Sequence, residues 1–222
     1  MEFLLFLYHQ AEAELFHRYI PGVPVDIIEN GVDAEFFSVL ARKTDGINIV
    51  FVGVMDYPPN VEAVDYFANN VWSRIRDVHA NAHFIIVGSK PAKSVIRLAR
   101  IPGIEVTGYV NDVRPYLAAA TVSVAPLGVA RGVQNKILEA MAAGVPVLTT
   151  PDVAKGLPDG AERLVFTAER NAEAFATALF ALIKNEAARE KRATEAAEFI
   201  RQNCVWEMKL RALDALLARV IK

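Results

Sequence analysis

The chain has a single cysteine, Cys204, in 222 residues, which excludes an internal disulfide and is typical of a reducing compartment. Excess charge is also low, since 24 lysines and arginines against 26 aspartates and glutamates leave a net charge of −2. That balance gives no overall attraction to nucleic acid or to an anionic membrane, so no nucleic-acid partner is expected. The opening apolar run, residues 3–8, is too short to span a bilayer, and the positive start of a signal peptide is absent. These features predict a cytoplasmic protein.

Common motifs of nucleotide and catalytic sites are absent as well. The sequence has no G-x-G-x-x-G, H-E-x-x-H or G-x-S-x-G motif. Gly103 and Gly108 have the spacing of a P-loop, but Tyr109 and Val110 follow where that loop has lysine and serine or threonine. There is no Asp-x-Asp pair to hold a metal–diphosphate complex, and the four histidines are scattered. We therefore expect neither a metal nor a cofactor.

What is present is an alternation of short apolar runs with longer helical patterns. Six runs are too short for helices and rich in β-branched residues, which predicts strands at 47–52, 82–87, 104–107, 121–125, 145–149 and 163–167. Several are apolar at nearly every position, as in parallel strands that are covered on both faces. The pattern predicts an α/β fold with a doubly wound, mostly parallel six-stranded Rossmann-like sheet and C-terminal helices.

Helical patterns fill the remaining chain. Helices are predicted over 60–77, 112–117, 132–143, 171–184 and, in two parts that break near residue 203, over 186–222. Asn111 or Asp112 can cap the second of these helices, and Asn171 can cap the fourth. Trp72 and Trp206 lie in helical patterns and are predicted to be core residues.

The order of these elements predicts three parts. Residues 1–40, with a proline-rich turn and few strand signals, are a lead-in or linker from another domain. Residues 41–184 form the Rossmann-like domain, which has the size of one doubly wound unit. Residues 185–222 form the C-terminal helices.

Loops that follow the predicted strands are the first place to look for a site, because open parallel sheets bind ligands at the carboxyl ends of their strands. These loops begin at Gly53, Gly88, Gly108, Pro126 and Thr149. Glycine lets the backbone approach a ligand closely, although ordinary turn formation explains any single one of these glycines. As a set they predict a ligand-binding edge.

The most informative stretch, residues 131–146, starts as a loop and enters a helix that we expect to begin at Gly132. The free N–H groups and the dipole of a helix start can hold phosphate, and Arg131 and Lys136 would add positive charge there. Glu139 shares a helix face with Lys136 and lies about 9 Å along the helix axis from the helix start. This separation suits a diphosphate that binds at the helix start and ribose hydroxyls that bind to Glu139. A solvated Glu139 paired with Lys136 explains the same spacing equally well.

Residues 136–147, Lys-Ile-Leu-Glu-Ala-Met-Ala-Ala-Gly-Val-Pro-Val, resemble the most characteristic segment of a known family. That family is the GT-B glycosyltransferases of the family-4 retaining type, and the segment belongs to their C-terminal, nucleotide-sugar-binding half. The resemblance extends from about Val25 to Lys184 and includes the turn at 30–33. Within the family, residues 53–60 and 130–136 are similar to the sugar transferases of bacterial exopolysaccharide systems.

The resemblance implies roles for particular residues. Glu139 falls on the second glutamate of the Glu-x7-Glu pattern, which binds the donor ribose. The other donor-binding positions that it implies are Gly53 after the first strand of the sheet, Gly108, Tyr109 and Val110 beside the base, and Gly132, Val133, Gln134 and Asn135 beside the sugar and diphosphate. Asp56 and Asn60, which lie near Gly53 in the sequence, are further donor-binding candidates. The resemblance implies no metal.

The chain departs from the family pattern at two places. Arg131 stands where the first glutamate of the pattern is expected, and Val54 and Pro59 stand where the family commonly has an arginine and a lysine. We therefore expect Arg131, Lys136 and Lys90 to neutralise the diphosphate, with Arg131 and Lys136 acting as the catalytic residues that stabilise the leaving group.

These observations lead to three functional hypotheses. The first is the donor-binding half of a retaining glycosyltransferase, which moves a sugar from a nucleotide sugar to a glycan or lipid-linked acceptor in bacterial polysaccharide synthesis. A GT-B nucleotide-sugar epimerase and a non-catalytic nucleotide-sugar-binding module remain open. The resemblance implies an acceptor-binding domain outside this chain, weak self-association through the exposed interdomain face, and a cytoplasmic location peripheral to the inner membrane.

Overall fold

A computed structural model describes residues 5–7, 10–38, 41–43, 46–128 and 134–220. The first part of the chain contains two short strands, β1 (Phe6–Leu7) and β2 (Asp26–Ile27), which pair in parallel around helix α1 (Gln10–Tyr19). Helix α2 (Ala34–Ser38) follows, and the adjacent Val32 forms an isolated parallel bridge with Val205 near the other end of the chain. This bridge ties the first segment to the C-terminal helices.

Six further strands form a single sheet. They are β3 (Asn48–Val52), β4 (His83–Val87), β5 (Ile104–Gly108), β6 (Val122–Ala125), β7 (Val147–Thr149) and β8 (Phe166–Thr167). Their order is β5-β4-β3-β6-β7-β8, and every neighbouring pair is parallel. The predicted doubly wound α/β sheet is confirmed. Five of its strands lie within the runs predicted from the sequence, and β5 extends one residue beyond its predicted run, to Gly108.

Helices connect the strands and cover both faces of the sheet. They are α3 (Pro58–Tyr66), which continues through a π-helical turn (Phe67–Val71) into α4 (Trp72–Val78), α5 (Lys93–Leu98), α6 (Arg114–Ala119), α7 (Asn135–Ala142), α8 (Pro151–Ala154), a 3₁₀ turn (Ala161–Arg163), α9 (Ala172–Lys184), α10 (Glu186–Asn203) and α11 (Trp206–Val220). The stretch α3–α4 packs against α5 and α9, whereas α7 packs against α2 and α10. Because the crossovers run outward in opposite directions from the β3–β6 pair, these two groups cover opposite faces.

The predicted helix ends agree with the structure in part. The Asn171 side chain accepts from the backbone N–H of Ala174 at 2.8 Å and caps α9, as predicted. At α6 the cap position is Val113, which has no side-chain cap hydrogen bond, and the predicted Asp112 lies one residue earlier and accepts from the N–H of Arg114 at 2.9 Å. The predicted break between the last two helices is also present, since α10 ends at Asn203.

Two helical predictions differ from the structure. Helix α7 begins at Asn135 and not at Gly132, because Gln134 before it has non-helical backbone angles (φ −88°, ψ 87°). Trp206 is 42% exposed and not a core residue, because it opens α11 with its backbone packed against Gly31. Trp72, in contrast, is 1% exposed and donates from its indole N–H to the carbonyl of Pro102 at 3.0 Å.

An aromatic cluster forms the core on the α3–α4 face of the sheet. The ring of Phe67 lies 4.5 Å from that of Phe84 and 6.1 Å from that of Phe175, centroid to centroid, and Trp72 packs beside both Phe67 and Phe84. All four side chains are buried. The cluster joins the π-helical turn, β4 and α9, and so fixes how α3 leaves the end of β3.

The strand order creates one topological switch point, between β3 and β6. The chain moves from β3 outward to β4 and β5, and then returns to continue from β6 to β7 and β8. At such a point the loops after the two central strands diverge and leave a crevice at their carboxyl ends. Helices α3 and α7, which follow β3 and β6, begin at this crevice.

Candidate functional site

Asn60 lies in the first turn of α3, where Pro58 and Pro59 open the helix in the positions that proline tolerates best. Its side chain is 4% exposed. The Nδ2 group donates to the carbonyl of Val54 at 2.9 Å, and Oδ1 accepts from Nζ of Lys136 at 2.5 Å. The structure thus brings together two predicted site residues, 76 positions apart in the chain, across the switch point.

Lys136 lies in the first turn of α7 and is half-buried. Besides Asn60, its Nζ contacts Oε1 of Gln134 at a longer 3.4 Å and lies 5.2 Å from the ring centroid of Phe51. Burial lowers the pKa of the Lys136 ammonium to about 8 from its ordinary 10.5, and the charge of Glu139 opposes that change. A cation in this environment is poorly hydrated and gains strongly from an anionic partner.

Glu139 follows on the same face of α7, one turn after Asn135, and is also half-buried. Burial raises the pKa of its carboxyl group, and the positive charge of Lys136 acts in the opposite direction. Among the described residues, no hydrogen bond or ion pair engages this carboxylate. Its burial argues against the fully solvated interpretation and leaves an acceptor available to hydroxyl groups.

Two glycines allow the loops of this edge to pack tightly. A Cβ atom on Gly53 would lie 2.6 Å from Nδ2 of Asn60, so only glycine leaves Asn60 its position. A Cβ on Gly88 would lie 1.7 Å from the carbonyl oxygen of Gly53, and the φ of Gly88 is +148°. The N–H of Met55 donates to the carbonyl of Ser89 at 2.8 Å, which fastens the loop after β3 to the loop after β4.

The other predicted positions lie along the same carboxyl edge. Asp56 is exposed after β3, and Lys90 is exposed after β4 with a φ of +53°, which is uncommon for a residue other than glycine. At the end of β5, Gly108 has a φ of +69°, Tyr109 is 73% exposed, and Val110 packs against the core. Asp56 therefore shares the connection after β3 with Asn60, whereas Lys90 lies one strand away from it and Gly108 to Val110 lie two strands away.

The loop before α7 is only partly described. Asn135 is exposed and its Oδ1 accepts from Nδ2 of Asn30 at 3.3 Å, which links α7 to the turn at 30–33. Gln134 occupies the cap position of α7 without a side-chain cap hydrogen bond, and its Oε1 accepts from Nζ of Lys136 at 3.4 Å. Arg131, Gly132 and Val133 lie outside the described residues, so their predicted roles stay predictions.

Arg170 is a neighbour of the site that no sequence pattern indicates. Its Nε donates to the carbonyl of Pro126 at 2.9 Å, just after β6, and its guanidinium lies 4.2 Å above the ring centroid of Tyr66. It also forms an ion pair with Glu62 on α3. Arg170 therefore braces α3 against the loop after β6. No motif surrounds it; only its place directly before the Asn171 cap could have drawn attention.

The amino-acid sequence matches a known protein family over more than half of its length. The model described as glycosyl transferases group 1 matches residues 46–185. Comparison with curated protein sequences finds no significant match. Among the described residues, no helix combines the length and apolar character needed to cross a membrane.

Solved structures of low sequence identity share the fold. Sucrose-phosphate synthase from Thermosynechococcus elongatus is 17% identical with a TM-score of 0.76, and the match covers 97% of this chain and 58% of that one. A glycosyltransferase from Rickettsia africae is 13% identical with a TM-score of 0.78, covering 99% and 64%. HepE from Anabaena, in complex with UDP and glucose, is 16% identical with a TM-score of 0.72, covering 97% and 62%. The chain thus spans 58% to 64% of the length of these relatives.

Proposed function

The chain belongs to the glycosyl transferases group 1 family, and from this membership we propose that it is the donor-binding half of a retaining glycosyltransferase. The reaction moves a sugar from a nucleotide sugar to a glycan or lipid-linked acceptor in bacterial polysaccharide synthesis. The acceptor, the membrane-peripheral cytoplasmic location and weak self-association belong to the same proposal. Exposed apolar side chains at the carboxyl edge, those of Val54, Tyr57 and Tyr109, support a surface that another domain or copy covers.

The observation that carries the proposal is the pair of half-buried charges on one face of α7 at the switch point. Lys136 supplies a poorly hydrated cation for the diphosphate, and Glu139, one turn further, offers an unengaged carboxylate to the ribose hydroxyls. Their order along the helix matches the order of diphosphate and ribose in a nucleotide. The complex of HepE with UDP supports a uridine nucleotide as the first ligand to test.

The proposed sugar transfer requires stabilisation of the leaving group. As the glycosidic bond to the nucleotide breaks, negative charge grows on the departing diphosphate, and a positive group that is already in place lowers the barrier. Lys136 is one such group among the described residues, and Arg131 is the second that we propose. The proposed reaction uses no metal and no cofactor.

Calorimetry of the full chain with UDP, GDP and ADP tests the proposal. We expect one of the three to bind, and Glu139→Gln to weaken that binding about 10-fold, because a charged acceptor of ribose hydroxyls is lost. Glu195→Gln, an exposed glutamate on α10, is the matched control and should leave binding unchanged. Absence of binding by all three nucleotides would contradict the proposed function.

Product analysis of the chain together with its acceptor-binding domain separates the remaining alternatives. Transfer of the sugar to an acceptor supports a transferase, a change of configuration in the unbound nucleotide sugar supports an epimerase, and binding without turnover supports a non-catalytic module. Retention of the anomeric configuration in the product tests the retaining stereochemistry.

A further inference from the structure

The contact between Asn60 and Lys136 does more than bury two polar groups. Asn60 is fixed from one side, because its Nδ2 donates to the carbonyl of Val54 and thereby orients Oδ1 towards α7. The short 2.5 Å contact from Lys136 Nζ to Oδ1 then determines where the ammonium lies. The close approach of Gly53 to Asn60 leaves the amide little room to rotate.

Lys136 is not saturated by these contacts. An ammonium has three N–H donors. Among the described residues, Nζ has one short acceptor, Asn60, and one long acceptor, Gln134 at 3.4 Å. A ligand oxygen can therefore bind to Nζ, or replace Gln134, without breaking the contact with Asn60.

Resting on the proposed function, we propose that Lys136 binds the donor diphosphate from the α7 side of the crevice, and that Asn60 is a positioning residue that holds the ammonium there before and after the ligand arrives. This arrangement supplies the positive charge that Val54 and Pro59, at the edge of β3, do not provide. The cation lies on α7, on the side of the crevice opposite to α3, and the hydrogen bond to Asn60 holds its ammonium group towards the end of β3.

The surroundings of Lys136 predict a measurable consequence of this assignment, which is that the protein takes up protons when the nucleotide binds. Glu139 is the charged group among the described residues that acts on Lys136, and burial leaves the ammonium with a pKa of about 8. A diphosphate that binds to Nζ favours the protonated form and raises that pKa. Binding at pH 8 should therefore take up about half a proton per nucleotide, since about half of the lysine is neutral beforehand.

A double-mutant cycle tests the positioning role of Asn60. We expect Asn60→Ala to weaken UDP binding about 10-fold in the wild-type background and less than about 2-fold in a Lys136→Met background. A purely structural role of Asn60 would give the same loss in both backgrounds and would overturn the proposal. Asn69→Ala is the matched control, because Asn69 is exposed in the same helical stretch and donates only to the nearby carbonyl of Asp65. Thermal unfolding of each variant verifies folding.

Proton uptake tests the role of Lys136 independently. UDP is titrated into the full chain at pH 8 in buffers of different ionisation enthalpy, and the slope of the apparent binding enthalpy gives the number of protons taken up. The wild type should take up about half a proton, and Lys136→Arg, whose guanidinium stays charged, should take up none while still binding UDP.

The outcomes separate this proposal from the function on which it rests. Binding of UDP without proton uptake, or with additive losses in the cycle, would overturn the proposal and leave the donor-binding function intact. If UDP does not bind but GDP or ADP does, the same measurements are made with the nucleotide that binds. Binding of none of the three would overturn the proposed function and this proposal together.

Discussion

Two cations of the molecule have opposite surroundings: the buried Arg189 at the joint of α9 and α10, and the half-buried Lys136 at the switch point of the sheet. Arg189 is 4% exposed. It donates to the carbonyls of Leu182 and Ile183 in the last turn of α9 and forms ion pairs with Glu186 and Glu190. Since the last carbonyls of a helix lack partners within the helix, Arg189 completes the end of α9.

Lys136 is held far less completely. It has one short acceptor and one long one among the described residues, and a partly accessible ammonium whose pKa is lowered by burial. The difference indicates that the hydrogen-bond partners of a buried cation distinguish a structural role from a ligand-binding role. A cation that is saturated by fixed backbone acceptors stabilises the fold, whereas an undersaturated cation at a crevice costs stability and is available to a ligand.

Removal of Arg189 should give the largest effect on the fold. We expect Arg189→Met to lower the free energy of unfolding by about 3 kcal/mol, because it leaves buried helix-end carbonyls without donors. Urea denaturation gives this value. Arg201→Met, on the exposed side of the same helix, is the control and should show no resolvable change. UDP affinity should be the same in both variants, and a loss confined to Arg189→Met would break the distinction between the two cations.

The second prediction is that Lys136 makes the free energy of unfolding depend on pH. The pKa of Lys136 is about 8 in the folded chain against an ordinary 10.5, so the unfolded chain binds more protons between these values. The contribution of Lys136 to stability is therefore present above pH 10.5 and is lost as the pH falls through 8. Relative to Lys136→Met, the wild type should gain up to about 3 kcal/mol between pH 7 and 10.5.

Urea denaturation of the two proteins across this range provides the measurement, because titrations that they share cancel in the difference. A difference that stays constant with pH would show that Lys136 is freely solvated. The Arg189→Met variant serves as the comparison, because it retains Lys136 and should show the same pH dependence as the wild type.

The sequence predicts the sheet better than it predicts these contacts. The six strands are recognisable because strands buried on both faces are short runs of apolar, β-branched residues, and the segment 136–147 stands out by its motif. Both signals are local. The partnership of Asn60 and Lys136 joins positions 76 apart and follows only from the strand order, which places β3 beside β6.

Other features were missed for the same reason. Arg189 and Arg170 look like ordinary charged residues of amphipathic segments until tertiary packing places backbone carbonyls beside them. The sequence predicts the start of α7 three residues too early, because no residue before Asn135 carries a clear cap signal and Gln134 takes the cap position. Helical spacing alone predicts a core position for Trp206, but such spacing does not indicate what covers a helix face.

Substitution of Gly53 tests how strongly the position of Asn60 affects ligand binding at the site. Alanine would place its Cβ 2.6 Å from Nδ2 of Asn60 and displace the amide that holds Lys136. We expect Gly53→Ala to weaken UDP binding about 5-fold, corresponding to about 1 kcal/mol. Gly156→Ala, whose Cβ would meet its nearest neighbour at an ordinary 3.5 Å, is the control for calorimetry. Equal affinity in the two variants would show that Asn60 can move without consequence.

The smallest effect is expected at a third cation that is not buried at all. Lys155 is exposed and paired with Asp152 at 2.8 Å, and that hydrogen bond raises the pKa of the lysine. Exposed ion pairs contribute little because water and salt screen them and because ordering the side chains costs entropy. Lys155→Met should therefore leave the melting temperature and UDP affinity unchanged within replicate scatter, measured by calorimetry beside Arg189→Met and Lys136→Met. A clear loss of stability would mean that the closeness of an ion pair, and not burial and saturation of the cation, decides what a charge contributes in this fold.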